Sequence, residues 1–263
     1  GSLAAVRREV PKAQLIVVDG DSNDGSPDIA KKYADLVVSD QGKGLAYARQ
    51  LGINNSDRPF VAFIGPDNLV TRNLMYAMQY ALEADAMLAA VAPQTEVIDT
   101  KTYWERATKY IYQYMINRPG PTEVVGTPCM YKREIVSRIQ YDPAIRAAAD
   151  DTDLSLRLKE AGYTVAVIEA YTQEKNDLDR AGFSARWRWY GKGDAEFYSK
   201  HRDSWTLRRR LQSLTHPLRK YGIRAPLLFL RGGTLRYIPA LYIATWSRYR
   251  GWWDRSRELK RHG

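Results

Sequence analysis

Gln14-Leu-Ile-Val-Val18 runs directly into Asp19-Gly-Asp-Ser-Asn-Asp-Gly-Ser26. The first five residues are mostly apolar and rich in β-branched side chains. The next eight are almost all turn formers. A short buried strand therefore ends on an acidic loop. Pro27 to Tyr33 then reads as the opening of a helix, with Ser26 as N-cap and Pro27 at the first helical position. The same order recurs outward from this unit. Leu36-Val-Val38 reads as a strand, Gly42-Lys-Gly44 as a loop and Leu45 to Gly52 as a helix. Phe60-Val-Ala-Phe-Ile64 reads as a strand stopped by Gly65-Pro-Asp67-Asn68, followed by a helix over 73–84 and a strand over 87–92. Further on come an aromatic-rich helix over 104–114, a helix over 154–161 ending at Gly162 and a strand over 164–168. Upstream, Leu3 to Val10 reads as a helix closed by Pro11. Strands alternating with helices predict an α/β fold: a Rossmann-like, mostly parallel sheet flanked by helices.

The chain has 263 residues, of which 44% are hydrophobic and 27% charged, which excludes a disordered or fibrous class. Its single cysteine, Cys129, excludes an internal disulfide framework. No run of 18 apolar residues exists, and Gly1 to Val10 lacks a signal-peptide core. Residues 205–263 hold 14 Lys+Arg against 2 Asp+Glu, a balance of +12 that exceeds the whole chain's net charge of +10. Four of the seven tryptophans lie there too: Trp205, Trp246, Trp252 and Trp253. The composition divides the chain into a body, 1–204, and a basic, aromatic, helical extension, 205–263. The apolar segments Ala225 to Leu230 and Tyr237 to Trp246 are too short to span a bilayer, and suit helices lying among lipid headgroups. The competing expectation is that they pack on the body or on a second subunit. A nucleic-acid-binding reading leaves the acidic loops unexplained, so no nucleic acid is expected.

In open α/β sheets, ligands bind beyond the carboxyl ends of the strands. Asp19 and Asp21 stand at one such end and Asp67 at another. Carboxylates there can accept hydrogen bonds from a base or ribose, or hold a hard divalent cation. A third acidic cluster, Asp150-Asp151-Thr152-Asp153, precedes the helix that begins at Leu154. One carboxylate suffices to cap a helix. Crowding several raises the pKa of at least one, which is what a general base requires. In Arg186-Trp-Arg-Trp-Tyr-Gly-Lys-Gly193, Trp187 and Trp189 alternate as on a strand or an extended lid that Gly191 and Gly193 would let move. His201, His216 and His262 show no metal-ligand spacing and read as surface residues.

The order Val18 to Ser26, Gly42-Lys-Gly-Leu-Ala-Tyr-Ala-Arg49-Gln50, Phe63-Ile-Gly-Pro-Asp67-Asn68, Asp150 to Leu158 and Arg188-Trp189 resembles the inverting GT-A glycosyltransferases of family two, over roughly residues 3–200. The resemblance implies transfer of a hexosyl group from a nucleotide-diphospho-sugar, UDP- or GDP-linked, with Mg²⁺ or Mn²⁺ as cofactor. It implies that Asp19 and Asp21 contact the base and ribose, and that Gly42 and Lys43 border the nucleotide. The last Asp of the family's D-x-D element falls on Asp67, which would bind the cation. The E-D pair falls on Asp150-Asp151, making Asp151 the base. The Q-x-x-R-W element ends on Arg188 and Trp189, and Gly126 to Tyr131 matches the acceptor-side loop. Three departures stand out. Gly65 replaces the first Asp of D-x-D, Ala185 replaces the Gln, and the family's opening strand has no counterpart before Leu3. The acceptor expected is a hydroxyl or phosphate, lipid-linked if the basic extension meets an anionic membrane, and the expected location is peripheral, on the cytoplasmic face. The alternative is a non-catalytic relative that binds nucleotide sugar or scaffolds a membrane complex.

Overall fold

A computed structural model describes residues 2–262, the side chain of His262 excepted. In chain order the elements are α1 (Ser2–Glu9), β1 (Ile16–Asp19), α2 (Ser26–Ala30), β2 (Leu36–Ser39), α3 (Leu45–Asn54), β3 (Phe60–Phe63), β4 (Asn68–Leu69), α4 (Leu74–Ala84) and β5 (Leu88–Ile98). They continue with α5 (Tyr103–Ile111), β6 (Gly120–Pro121), β7 (Cys129–Lys132), α6 (Arg133–Ile139), α7 (Asp150–Glu160) and β8 (Thr164–Lys175). The last are α8 (Arg180–His201), α9 (Leu207–Leu214), α10 (Ala225–Arg231) and α11 (Ile238–His262). The chain folds into two compact units. One comprises 1–96, 117–144 and 150–175, and the other 97–116, 145–149 and 176–263.

The first unit carries the strands. β1 and β2 pair in parallel, with Ile16 opposite Leu36 and Asp19 opposite Ser39. A second sheet runs β3-β7-β5-β8-β4, with β6 paired to β8. The α/β class is as expected, but strand directions are mixed. The expected parallel arrangement describes β1–β2, whereas β3–β7, β5–β7, β4–β8 and β6–β8 are antiparallel. The Gly- and Pro-rich stretch over 120–128 conceals β7 in the sequence. β5 is buried over its first eight residues and serves both faces of the sheet, as a two-residue period demands. Ala90 and Ala92 pack with Ile53 of α3, Val136 of α6 and Leu154 and Leu158 of α7. Val91 packs with Val6 of α1 and Leu74, Met78 and Leu82 of α4. The cap of α2 is Gly25, at φ 82°, rather than Ser26. The Ser26 hydroxyl and, at 3.0 Å, the Ser26 amide hydrogen-bond to the Asp24 carboxylate, holding that carboxyl below its ordinary pKa.

The second unit is helical, and its boundary is not the compositional one at 204. Phe183 and Trp187 of α8 share one core with Ala107 and Ile111 of α5, and with Tyr221, Phe229, Tyr237 and Leu241 from the basic extension. The two apolar segments of that extension therefore turn Phe229, Tyr237, Ala240, Leu241 and Ala244 inward, as the competing expectation had it. Nor do Trp187 and Trp189 lie on a strand or lid, because both sit inside the 22-residue helix α8. Gly191 and Gly193 are contact points rather than hinges. A β-carbon on Gly191 would fall 1.8 Å from the Arg248 carbonyl oxygen of α11, and one on Gly193 would fall 2.7 Å from the Ala149 amide nitrogen. The α8–α11 seam is sealed by Arg248–Asp194 at 2.5 Å, Arg188–Asp254 at 2.6 Å and Arg255–Glu196 at 2.7 Å. Of the histidines, His201 stacks on Trp205 at 5.7 Å. His216 is half-buried rather than at the surface; burial, aided by nearby Arg248, pushes its pKa down to about 3. The side chain of His262 lies outside the described residues. No helix among the described residues is long and apolar enough to cross a membrane.

Candidate active site

Two groups of expected residues lie in the first unit. The first is built on the loops that leave β1 and β2. The Asp19 carboxylate accepts from the Ser22 amide at 2.8 Å, which curls the chain back beneath the strand end. Asp21 adopts φ 60°, in the left-handed region, and its carboxylate accepts from the Ser39 hydroxyl. That bond and Asp40 N to Asp19 O at 2.9 Å tie the two loops into one rim. Gly42, at φ 67°, donates its amide to the Asp40 carboxylate at 2.8 Å. Lys43 places its ammonium 4.7 Å from the centre of the Tyr47 ring. Asp19, Asp21, Gly42 and Lys43 are thus brought together, in a solvent-facing rim that presents carboxylates and one ammonium group.

The second group is buried, and its centre is a residue to which the sequence reading gave no role. Arg49 of α3 reaches both acidic residues at the start of α7. Its Nη1 lies 2.5 Å from Asp150 Oδ2 and 2.5 Å from Asp151 Oδ1. Its Nη2 donates to Thr127 Oγ1 at 2.6 Å, and its guanidinium lies 5.8 and 5.6 Å from the rings of Phe63 and Tyr141. Tyr141 also donates its hydroxyl to Asp151 Oδ1 at 3.4 Å. A signal was present in the sequence: Arg49 sits on the same helical face as Ala46 and Ile53, both buried, and a buried guanidinium requires a buried anion. Gly126 completes the enclosure, since a β-carbon there would lie 3.5 Å from Asp151 Oδ2.

The four residues 150–153 divide by role. Asp153 is fully buried and pairs with Arg157 one turn later at 2.7 Å, an internal brace of α7. Asp150 is buried, and its Oδ1 has no hydrogen-bond partner. Burial, with the adjacent Asp151 charge, pushes its pKa up to about 7 against the pull of Arg49. Burial opposes the charge of Arg49, but the carboxylates of Asp151 and Asp150 outweigh it and hold the guanidinium protonated. Burial pushes the Cys129 thiol far up, which removes it as a nucleophile at neutral pH.

The turn over 65–68 follows β3. Asn68 is buried and accepts the Gly65 amide at 3.0 Å. A β-carbon on Gly65 would meet Asp67 Oδ1 at 2.7 Å and Asn68 Oδ1 at 2.9 Å. A side chain at 65 would therefore require the Asp67 and Asn68 side chains to shift. One carboxylate, Asp67, remains there, and no cluster of three His, Cys, Asp or Glu side chains that could hold a metal exists among the described residues. A single hard carboxylate matches a Mg²⁺ or Mn²⁺ ion that takes its other ligands from phosphate and water. Arg188 and Trp189 belong to the second unit, where Arg188 is engaged with Asp254 and Trp189 is 40% exposed.

The first unit thus carries acidic strand-end loops and, at the start of α7, a carboxylate pair clamped by Arg49. The model of the glycosyl transferase family 2 matches residues 2–140, over half of the chain, and the chain belongs to that family. No curated protein matches its sequence. Among solved structures it is similar to the mannosyltransferase PcManGT from Pyrobaculum calidifontis in complex with GDP-Man and Mn²⁺, at 16% identity and TM-score 0.64, over 96% of this chain and 82% of that one. It is also similar to residues 1–349 of S. aureus TarS in complex with UDP-GlcNAc, at 13% identity and TM-score 0.53, over 99% of this chain and 87% of that one. At these identities the likeness is one of fold. Membership of the family makes the protein a glycosyltransferase.

Proposed function

We propose that the protein transfers a hexosyl group, with inversion, from a UDP- or GDP-sugar to a hydroxyl or phosphate acceptor. The observation that carries this reading is the Asp151 carboxylate, held by Arg49 and Tyr141 against the loop that begins at Gly126. For a hydroxyl acceptor, Asp151 takes its proton, and the oxygen attacks the anomeric carbon as the bond from that carbon to the diphosphate oxygen breaks. The diphosphate leaves with the bonding pair. The Asp19, Asp21, Gly42 and Lys43 rim holds the nucleotide. A divalent cation, held by Asp67 when bound, would neutralise charge on the leaving diphosphate. The acceptor we favour is lipid-linked, with the protein peripheral on the cytoplasmic face of a membrane.

The test pairs donor binding with turnover. Titration calorimetry with UDP- and GDP-sugars in the presence of Mn²⁺ identifies the donor. Asp151→Asn then keeps donor affinity while turnover falls about 10²–10⁴-fold, the range of general-base assistance. Near-normal transfer by Asp151→Asn at saturating donor would refute the assignment. Donor binding by the native chain with no transfer to any acceptor would favour the non-catalytic reading, to which the lone carboxylate of the 65–67 turn lends weight.

A further inference from the structure

Helix α9 of the second unit exposes apolar side chains to solvent. None of the residues of α9 is buried. Leu207 is 73% exposed and Leu211, one turn on, 54%; Leu218, in the segment that follows α9, is also exposed. Arg208, Arg209 and Arg210 interrupt this row, and Arg219 follows it. Arg208 and Arg219 line one open depression together with Leu207 and Leu211. No carboxylate among the described residues pairs with any of the four. Arg209 stacks on Trp205 at 4.9 Å, Arg210 donates to Arg202 O at 2.7 Å and Arg219 donates to Gln212 O at 2.7 Å. From Ser204 to Trp253 the sequence has no Asp or Glu at all.

We propose that α9 is the membrane-docking element, seated in the headgroup region of an anionic bilayer. Its leucines enter the acyl boundary and Arg208, Arg209, Arg210 and Arg219 lie on lipid phosphates. A bilayer surface offers apolar depth and phosphate in the same plane, which is what this short helix presents side by side. A nucleic acid would satisfy the arginines and leave the leucines wet. Two copies of α9 face to face would bring four arginines against four with no carboxylate between them. The assignment centres the membrane contact on α9; in the segments around Phe229 and Leu241 those two residues are spent on the core of the unit, while Leu227, Leu230, Tyr242 and Trp246 stay exposed. It stands independently of the donor chemistry proposed above.

Flotation of the purified full-length chain with phosphatidylcholine vesicles, with or without phosphatidylglycerol, tests it without donor or acceptor. The native chain floats with the anionic vesicles and stays behind with the neutral ones. The variant L207E/L211E, on two exposed residues outside the core of the unit, loses anionic-vesicle binding about tenfold or more while its circular dichroism is unchanged. The variant R208Q/R209Q/R210Q loses the preference for phosphatidylglycerol. Flotation of L207E/L211E equal to that of the native chain would overturn the proposal. So would a native chain that ignores anionic vesicles and instead binds single-stranded RNA, or self-associates in light scattering through a face that L207E/L211E abolishes.

Discussion

Replacing Asp150 by Asn tests the buried carboxylate pair directly, because the change removes a charge and leaves the shape. The Asp150 carboxyl has a pKa of about 7 in the folded protein against 3.8 ordinarily. Below both values the folded and unfolded chains hold the same proton, and this group contributes no pH dependence. Between them the folded state keeps a proton that the unfolded state has released, so stability falls as pH rises, until Asp150 ionises in both states. Three pKa units correspond to about 4 kcal/mol, an upper figure for what the native chain loses across that window. Asp150→Asn has no such loss, so from about pH 4 to about pH 7 its stability should gain on the native chain by up to that amount. All seven tryptophans lie in the second unit and Asp150 in the first. Tryptophan fluorescence in urea therefore follows the wrong unit, and serves as the internal control. Amide hydrogen exchange across α7 and β5 is the readout that follows the first unit. Parallel stability curves for the two proteins would refute the buried, proton-retaining Asp150. A variant that grows weaker than the native chain as pH rises would show that the ion pair with Arg49 outweighs burial.

Two further substitutions probe the turn after β3 and the helical seam. Asp67→Asn should weaken Mn²⁺-dependent donor binding about tenfold or more, measured by calorimetry, while metal-free donor binding stays unchanged, because it removes the one carboxylate of that turn. Gly191→Ala drives a methyl group into the Arg248 carbonyl oxygen, so α8 and α11 must separate. The expected cost is about 3 kcal/mol, read as an early fall in tryptophan fluorescence on heating, with amide exchange in the first unit unaffected.

The elements that position the site were legible where local chemistry was strong. Ile16-Val-Val18 running into Asp19-Gly-Asp21 marked a strand end, and Asp150-Asp151 marked a clustered pair. Residues whose roles depend on distant partners were not legible. Arg49 finds Asp150 and Asp151 about a hundred positions further on, and only its place among buried neighbours on α3 hinted at them. Helix α8 was misread for a different reason. Trp187 and Trp189, two residues apart, would share one face of a strand but lie on different faces of a helix, and here one is buried and the other exposed. Two aromatics cannot distinguish the periods. Gly182, Gly191 and Gly193 lower helix propensity further, and the close approaches of α11 at Gly191 and of Ala148 and Ala149 at Gly193 are invisible in sequence.

The same misreading bears on where the chain can be cut. Composition invites a truncation after Ser204, at the onset of the basic extension. In the structure that cut removes Tyr221, Phe229, Tyr237 and Leu241 from the core around Phe183 and Trp187. Each side chain of this size contributes about 1.5–3 kcal/mol by burial, and of the buried core partners of Phe183 and Trp187 only Ala107 and Ile111 of α5 remain. The cut also strands Asp194 and Glu196 without Arg248 and Arg255. A 1–204 fragment is therefore expected to leave α8 molten, with bound ANS fluorescence and rapid amide exchange over 180–201. Exchange in α3, α4 and α7 should stay slow, because their packing lies within the first unit. A fragment whose α8 exchanges as slowly as in the full chain would show that the helix is held by something other than the Gly191–Arg248 seam. Loss of vesicle binding by such a fragment would report an unfolded unit, whereas the same loss in L207E/L211E, which leaves the core untouched, reports α9 alone.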